Sequence, residues 1–238
     1  MANYLVVGAS SGIGRATALR LAQEHRIFAM ARREDRLAEL EVAGVTPMPF
    51  DVENLEEIPP TLKALAKAHG PLAGVVYCAG VQSVKPIRML KADEVERLFR
   101  INTLAPLFFA KAFASRGVHD AEVHPSLTFV SSIAAQKAEK GIVAYGASKA
   151  ALDQAVRGLA LELAPIRVNA VAPGFLQTEM TERFAHVYDE AFIERVRADY
   201  PLGLGSVEDV AELIAFLVSS RARYLTGEVI RIDGGGAL

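Results

Sequence analysis

Val7-Gly8-Ala9-Ser10-Ser11-Gly12-Ile13-Gly14 joins a short apolar run, residues 4–7, to an amphipathic one, residues 13–24. The first reads as a strand and the second as a helix, so the octapeptide predicts a strand–turn–helix unit. Its glycines, spaced Gly-x3-Gly-x-Gly, permit a tight turn and let a phosphate approach the backbone. The helix behind them would offer free N–H groups and a positive dipole end, which suits a pyrophosphate. Gly8, Ser10, Ser11, Gly12, Ile13 and Gly14 are therefore candidate phosphate-binding residues. Three glycines in such a turn can also be plain turn chemistry.

Outward from this unit the alternation continues. Residues 26–31, 45–50, 72–78, 126–131, 167–171 and 229–232 predict further strands, several apolar on both faces. Residues 33–42, 55–69, 92–116, 144–163 and 207–219 predict helices, the last with Ser206 as N-cap and Asp209 in its first turn. The pattern implies an α/β fold: one doubly wound Rossmann-type domain over residues 1–238. A seven-stranded, mostly parallel sheet would carry helices on both faces. Residues 174–201 break the rhythm with a long mixed segment, the position of a lid or binding loop.

Composition narrows the function classes. Of 238 residues, 51% are hydrophobic and 23% charged, enough apolar material to exclude a disordered chain. The net charge of -2 provides no global basic field, so nucleic acid is not an expected partner. A single cysteine, Cys78, excludes an internal disulfide framework and fits a reducing compartment. Neither a basic leader nor an apolar run of membrane-spanning length is present, so a cytoplasmic protein without membrane contact is expected. The five histidines are scattered, and no metal site is expected.

After the second predicted strand the chain reads Met30-Ala31-Arg32-Arg33-Glu34. Dinucleotide folds that select NAD place a carboxylate at this strand end for the ribose 2′-hydroxyl, whereas a 2′-phosphate is held by arginine. Ala31 removes the carboxylate and Arg32, with Arg33 beside it, supplies guanidinium, so NADP(H) is the expected cofactor. Alternatively, the two arginines are a solvated helix start, although cations are disfavoured there.

Tyr145 and Lys149 stand four apart on a predicted helix and share one face. A nearby ammonium and an oxidised nicotinamide would both favour the phenolate, which predicts a Tyr145 pKa lowered toward the working range. Its hydroxyl could then exchange a proton with a carbonyl or alcohol oxygen. Tyr-x3-Lys alone occurs on many helices. Ser131 and Ser132 end a predicted strand just upstream, and either hydroxyl could bond an oxygen on which charge develops. Asn102, taken alone, is an ordinary helical asparagine.

Glycine turn, serine, tyrosine and lysine occur in the order of the short-chain dehydrogenases/reductases, and the chain resembles that family from Val7 to Gly235. The resemblance implies a hydride-transferring oxidoreductase acting on a small carbonyl or alcohol. Family spacing selects Ser132 over Ser131 as the residue stabilising the substrate oxygen. Tyr145 would transfer the proton, and Lys149 would lower the tyrosine pKa and bind ribose. Asn102 would bend its helix and sustain a water-borne proton relay. The resemblance further assigns Asp51 and Val52 to the adenine, Cys78, Ala79 and Gly80 to the cofactor groove, and Pro173, Gly174 and Thr178 to the nicotinamide carboxamide. Thr178 could also cap the following helix.

The chain departs from the family at two places. Val7 stands where a threonine is usual, and Tyr77-Cys78 replaces an Asn-Asn pair whose amides tie the central sheet together. Cys78 reads as a small buried residue rather than a redox centre.

The pattern looks closest to 3-oxoacyl-carrier-protein reductases, but no basic cluster precedes Ser132. A sugar or sterol alcohol dehydrogenase would use the same site. A non-catalytic dinucleotide sensor is the rival of another class, and it would have no need of Tyr145 or Lys149. Phe175, Leu176, Met180, Phe184, Tyr188 and Phe192 could line an apolar pocket or pack the 174–201 segment down. Lys137 and Lys140 could meet an anionic substrate or be solvated. Small residues crowd the predicted helix 144–163, a flat surface suited to subunit packing. With the family's habit, it implies a homodimer or homotetramer.

Overall fold

The computed structural model describes residues 1–238. The strands are β1 (Asn3–Val7), β2 (Arg26–Ala31), β3 (Thr46–Pro49), β4 (Gly74–Tyr77), β5 (Ser126–Val130), β6 (Arg167–Pro173) and β7 (Val229–Ile232). The helices are α1 (Gly12–Ala22), α2 (Glu34–Ala38), α3 (Ile58–His69), α4 (Ala92–Phe99), α5 (Ala105–Phe113), α6 (Val143–Glu162), α7 (Glu179–Glu182), α8 (Glu190–Asp199) and α9 (Val207–Val218). The strands form one sheet in the order β3-β2-β1-β4-β5-β6-β7, and every pairing is parallel rather than mostly so. No helix is long and apolar enough to cross a membrane.

Strand residues alternate between two apolar layers, as the two-residue period of a pleated strand requires. Leu5, Val7, Phe28, Met30 and Val75 pack on the α3, α5 and α6 side. Tyr4, Val6, Ile27, Ala29 and Val76 pack against α1 and α9. Strand order reverses between β1 and β4, which opens a crevice beyond their carboxyl ends. Val7, Met30 and Tyr77 are in register across that point, so the loops after β1, β2 and β4 meet at one rim.

The helix expected over 92–116 is interrupted. Between α4 and α5 lies a π-helical turn, Arg100–Leu104. Pro106 has no N–H to return to the carbonyl four residues back, at Asn102. Three side chains hold the widened turn through tertiary hydrogen bonds. The Asn102 amide bonds both backbone groups of Val81, at 2.9 and 3.0 Å. Thr103 Oγ1 donates to the Ser148 carbonyl at 2.9 Å. The buried Tyr77 hydroxyl donates to the Ile101 carbonyl at 2.8 Å. Tyr77 thus ties β4 to the π turn through a phenol, so the missing Asn-Asn amides do not leave this part of the sheet untied.

Candidate active site

A cavity of about 690 Å3 occupies the crevice, within the usual range for ligand sites. All the candidate cofactor residues named above line it, as do Ser132, Tyr145 and Lys149. Asn102 does not; it is fully buried behind the wall. Both hydrogens of its amide are committed to protein acceptors, the Val81 carbonyl and Ser148 Oγ.

The glycine turn is shaped by close approach and by open space. A Cβ at Gly14 would meet the Gly8 carbonyl oxygen at 2.3 Å, so the helix can start this close to the turn only without a side chain there. Gly12 has φ +53, and beyond it nothing lies nearer than Thr178 Cγ2 at 4.0 Å. Ser11, at the N-cap of α1, makes no side-chain cap bond, and no acidic residue sits in the first turn. The helix therefore offers N–H groups and positive dipole to the cavity, which fits a dinucleotide pyrophosphate.

The two arginines behave differently. Arg32 is 55% exposed, and its nearest charged partners are Asp51 at 3.9 Å and Glu53 at 3.7 Å. Arg33 lies across the glycine turn, donating to Ser10 Oγ at 3.1 Å and Ser11 Oγ at 2.8 Å. It also pairs with Glu179 of α7 at 2.8 Å. Neither is a residue of α2 itself, which begins at Glu34 with two acidic residues in its first turn.

Tyr145 and Lys149 lie on the buried face of α6, 8% and 4% exposed. Lys149 Nζ donates to the Val130 carbonyl at 2.8 Å and stands 5.9 Å from the Tyr145 ring centre. Ser132 leaves β5 with its hydroxyl accepting from Ala134 N at 3.2 Å. Burial pushes the Tyr145 phenol up to about 12, with the Ser132 hydroxyl pulling the other way. The expected lowering rested on the ammonium together with an oxidised nicotinamide; in the chain by itself the ammonium is turned toward Val130, and desolvation of the phenolate sets the direction. Near neutrality Tyr145 is thus held protonated. Burial drives Lys149 down to about 8, opposed by the charge of the nearby Asp153. The Cys78 thiol is itself pushed up to about 12 by burial and stays protonated.

The other wall comes from the 174–201 segment. Phe175, Tyr188 and Phe192 form an aromatic cluster with ring centres 4.9 to 5.5 Å apart. Gln82 Nε2 donates to the Tyr188 hydroxyl at 2.8 Å, and Tyr200 accepts from Phe175 N at 3.0 Å. Thr178 takes the N-cap position of α7 while also lining the cavity. Lys137 donates to the Gly236 carbonyl at 2.7 Å. Sequence reasoning did not single out Gln82, Tyr200, Glu179 or Asp153. Each acquires its place from a partner distant in the chain, and no local spacing signals it. No group of three His, Cys, Asp or Glu side chains converges to hold a metal ion.

A family model described as Enoyl-(Acyl carrier protein) reductase matches residues 8–236. L-xylulose reductase of Mus musculus is 35% identical over 243 residues, covering 97% of this chain and 94% of that one. The 3-oxoacyl-(acyl-carrier-protein) reductase FabG of Thermotoga maritima is 32% identical over 241 residues, covering 97% and 96%. Among solved structures, the Pseudomonas aeruginosa RhlG/NADP active-site complex superposes with a TM-score of 0.90 at 30% identity, covering 100% of this chain and 96% of that one.

Proposed function

Because the chain belongs to the short-chain dehydrogenase/reductase family, an oxidoreductase family, we propose that it is an NADP(H)-dependent reductase of a small carbonyl compound, or equivalently a dehydrogenase of the secondary alcohol. The observation that carries this reading is the meeting of Tyr145, Lys149 and Ser132 with the glycine turn around one cavity. A bound nicotinamide supplies the redox chemistry, and the protein supplies position and proton.

The α1 N-terminus and the glycine turn bind the pyrophosphate. Arg33, with Arg32 beside it, binds the 2′-phosphate, and a guanidinium fork suits that group. Asp51 and Val52 border the adenine. Cys78, Ala79 and Gly80 form the groove floor, and Pro173, Gly174 and Thr178 face the carboxamide. Ser132 bonds the substrate oxygen, and Tyr145 gives it a proton as negative charge develops. Lys149 holds the ribose and, as an ammonium, favours the phenolate left behind. Asn102 acts from behind by holding the π turn and Val81. The 174–201 segment closes over the substrate. The subunits pair as a homodimer or homotetramer through α6.

The test is NADPH oxidation by the purified protein against 3-oxoacyl thioesters, simple ketones, diketones and keto sugars, with Tyr145→Phe as the blank. Turnover on one class, lost in the variant, is the expected result. Tight NADPH binding with no turnover on any carbonyl would overturn the reading in favour of a dinucleotide sensor.

A further inference from the structure

Asp153 sits one helical turn beyond Lys149, on the same face of α6 and 5% exposed. A carboxylate this deep is costly unless it is paired and hydrogen-bonded. Its Oδ1 accepts a hydrogen bond from the Ser131 hydroxyl, itself 3% exposed. Ser131 precedes Ser132 in the chain, and its N–H donates to the Val171 carbonyl at 2.7 Å, fixing it to β6. The neighbouring Val130 carbonyl receives the Lys149 ammonium. One carboxylate thus bonds the end of β5 and, one turn from Lys149 on the same buried face, acts on the ammonium through its charge without a direct ion pair.

We propose that Asp153 is a positioning residue of the active site: through Ser131 it sets the β5 end that presents Ser132, and it is the buried counter-charge of Lys149. The proposal rests on the reductase reading above.

The charged and titratable groups around the pair are few. On α6 they are Tyr145 and Arg157; from the loop after β4 comes Cys78. Arg157 Nη1 reaches only the Asp153 backbone carbonyl, at 3.4 Å. Cys78 is protonated and contributes no charge near neutrality. Burial pushes the Asp153 carboxyl up, while the Ser131 hydroxyl bond and the Arg157 charge pull it the other way. Asp153 is therefore the anion that offsets burial of the ammonium. Ser131 makes its role mechanical as well, since the same oxygen holds the strand end.

Asp153→Asn keeps the size and an acceptor but removes the charge. Ser131→Ala keeps the charge but removes the bond. In Asp153→Asn the pH at which NADPH binding weakens, read by nucleotide fluorescence, should fall by about one pH unit, because the lysine loses its proton earlier. In a carbonyl-reduction assay the loss in kcat/KM should deepen about fivefold further between pH 7 and pH 9, the rate change that follows from such a displacement of a lysine at about 8. Ser131→Ala should lower kcat with the alkaline limb unmoved. Asp153→Glu should restore part of the alkaline limb.

Superimposable pH profiles for Asp153→Asn and the parent, in both binding and turnover, would overturn the proposal. Equal losses at every pH would reduce Asp153 to a packing residue and overturn it as well. If Asp153→Asn does not accumulate folded, Ser131→Ala and Asp153→Glu decide: Ser131→Ala must lower kcat without moving the alkaline limb, and Asp153→Glu must retain that limb. Failure of the reductase reading is distinct, since an active Tyr145→Phe would signal it whatever Asp153 does.

Discussion

Arg33 and Glu179, 146 residues apart, form a 2.8 Å ion pair that joins the glycine turn to the start of α7. The same guanidinium donates to Ser10 and Ser11, so it spans the mouth of the cavity. Arg33 holds Glu179 below the usual carboxylate range. A phosphate on the adenosine ribose would compete with this carboxylate for the guanidinium. Glu179→Gln should therefore tighten NADPH severalfold while moving NADH little. Direct titration of both nucleotides by fluorescence measures this, and equal effects on the two would mean that Glu179 does not face the 2′-phosphate. The pair is part-exposed, so the difference should shrink as salt is raised.

The neighbouring arginines divide the work. Arg33 is already oriented by two serines, whereas Arg32 is more exposed and leans toward two carboxylates. Losing a charge-assisted hydrogen bond costs about 1.5–3 kcal/mol, roughly 10- to 150-fold in affinity. Arg33→Ala should weaken NADPH by about that factor and NADH much less. Arg32→Ala should have a smaller effect in the same sense. The reverse ranking of the two Kd changes would return the phosphate to Arg32.

Lys149 also makes a stability prediction. Its pKa falls from an ordinary 10.5 to about 8 on folding, so the unfolded chain binds the proton more tightly than the folded one. Below pH 8 the folded state carries the whole penalty, roughly 3 kcal/mol by linkage. Between pH 8 and pH 10.5 the folded lysine is already neutral while the unfolded one still holds its proton, so the penalty fades as pH rises and is gone above 10.5, where both are neutral. Lys149→Met lacks this dependence. The Tm of the variant minus that of the parent should be greatest near pH 7 and decline toward pH 10. A difference that is flat with pH would show that burial does not depress the lysine.

At the π turn, the Tyr77 hydroxyl donates to the Ile101 carbonyl inside the protein. Removing that donor leaves a buried carbonyl unsatisfied, at a cost of about 1–3 kcal/mol. Tyr77→Phe should lower Tm by several degrees, since about 1 kcal/mol corresponds to 2–4 °C at this size. Thermal melts of the two proteins read this directly. An unchanged Tm would mean that the turn does not depend on the phenol.

Much of the architecture was legible in the chain. β2 and β7 begin and end where alternation and flanking residues placed them, and β5 differs by one residue. The glycine turn was legible because its demands are local: a positive φ at Gly12 and no room for a Cβ at Gly14. Tyr145 and Lys149 were legible as a pair because helical spacing alone puts them on one face. The break at residues 100–104 was not legible. It depends on Asn102 finding Val81 and Tyr77 finding Ile101, partners supplied by other elements. Within residues 174–201 the short helices α7 and α8 were hidden by weak periodicity.

The sequence by itself determined a seven-stranded α/β sheet, a glycine-rich turn after the first strand, and a tyrosine–lysine face on one helix. These follow from side-chain period, backbone permissiveness and spacing, which act over a few residues. Only the tertiary structure decided that Arg33 rather than Arg32 lies over the turn, that Glu179 answers it, and that Asp153 stands behind Lys149. It alone set the burial that pushes the Tyr145 phenol up in the chain by itself, because desolvation depends on everything packed around a group.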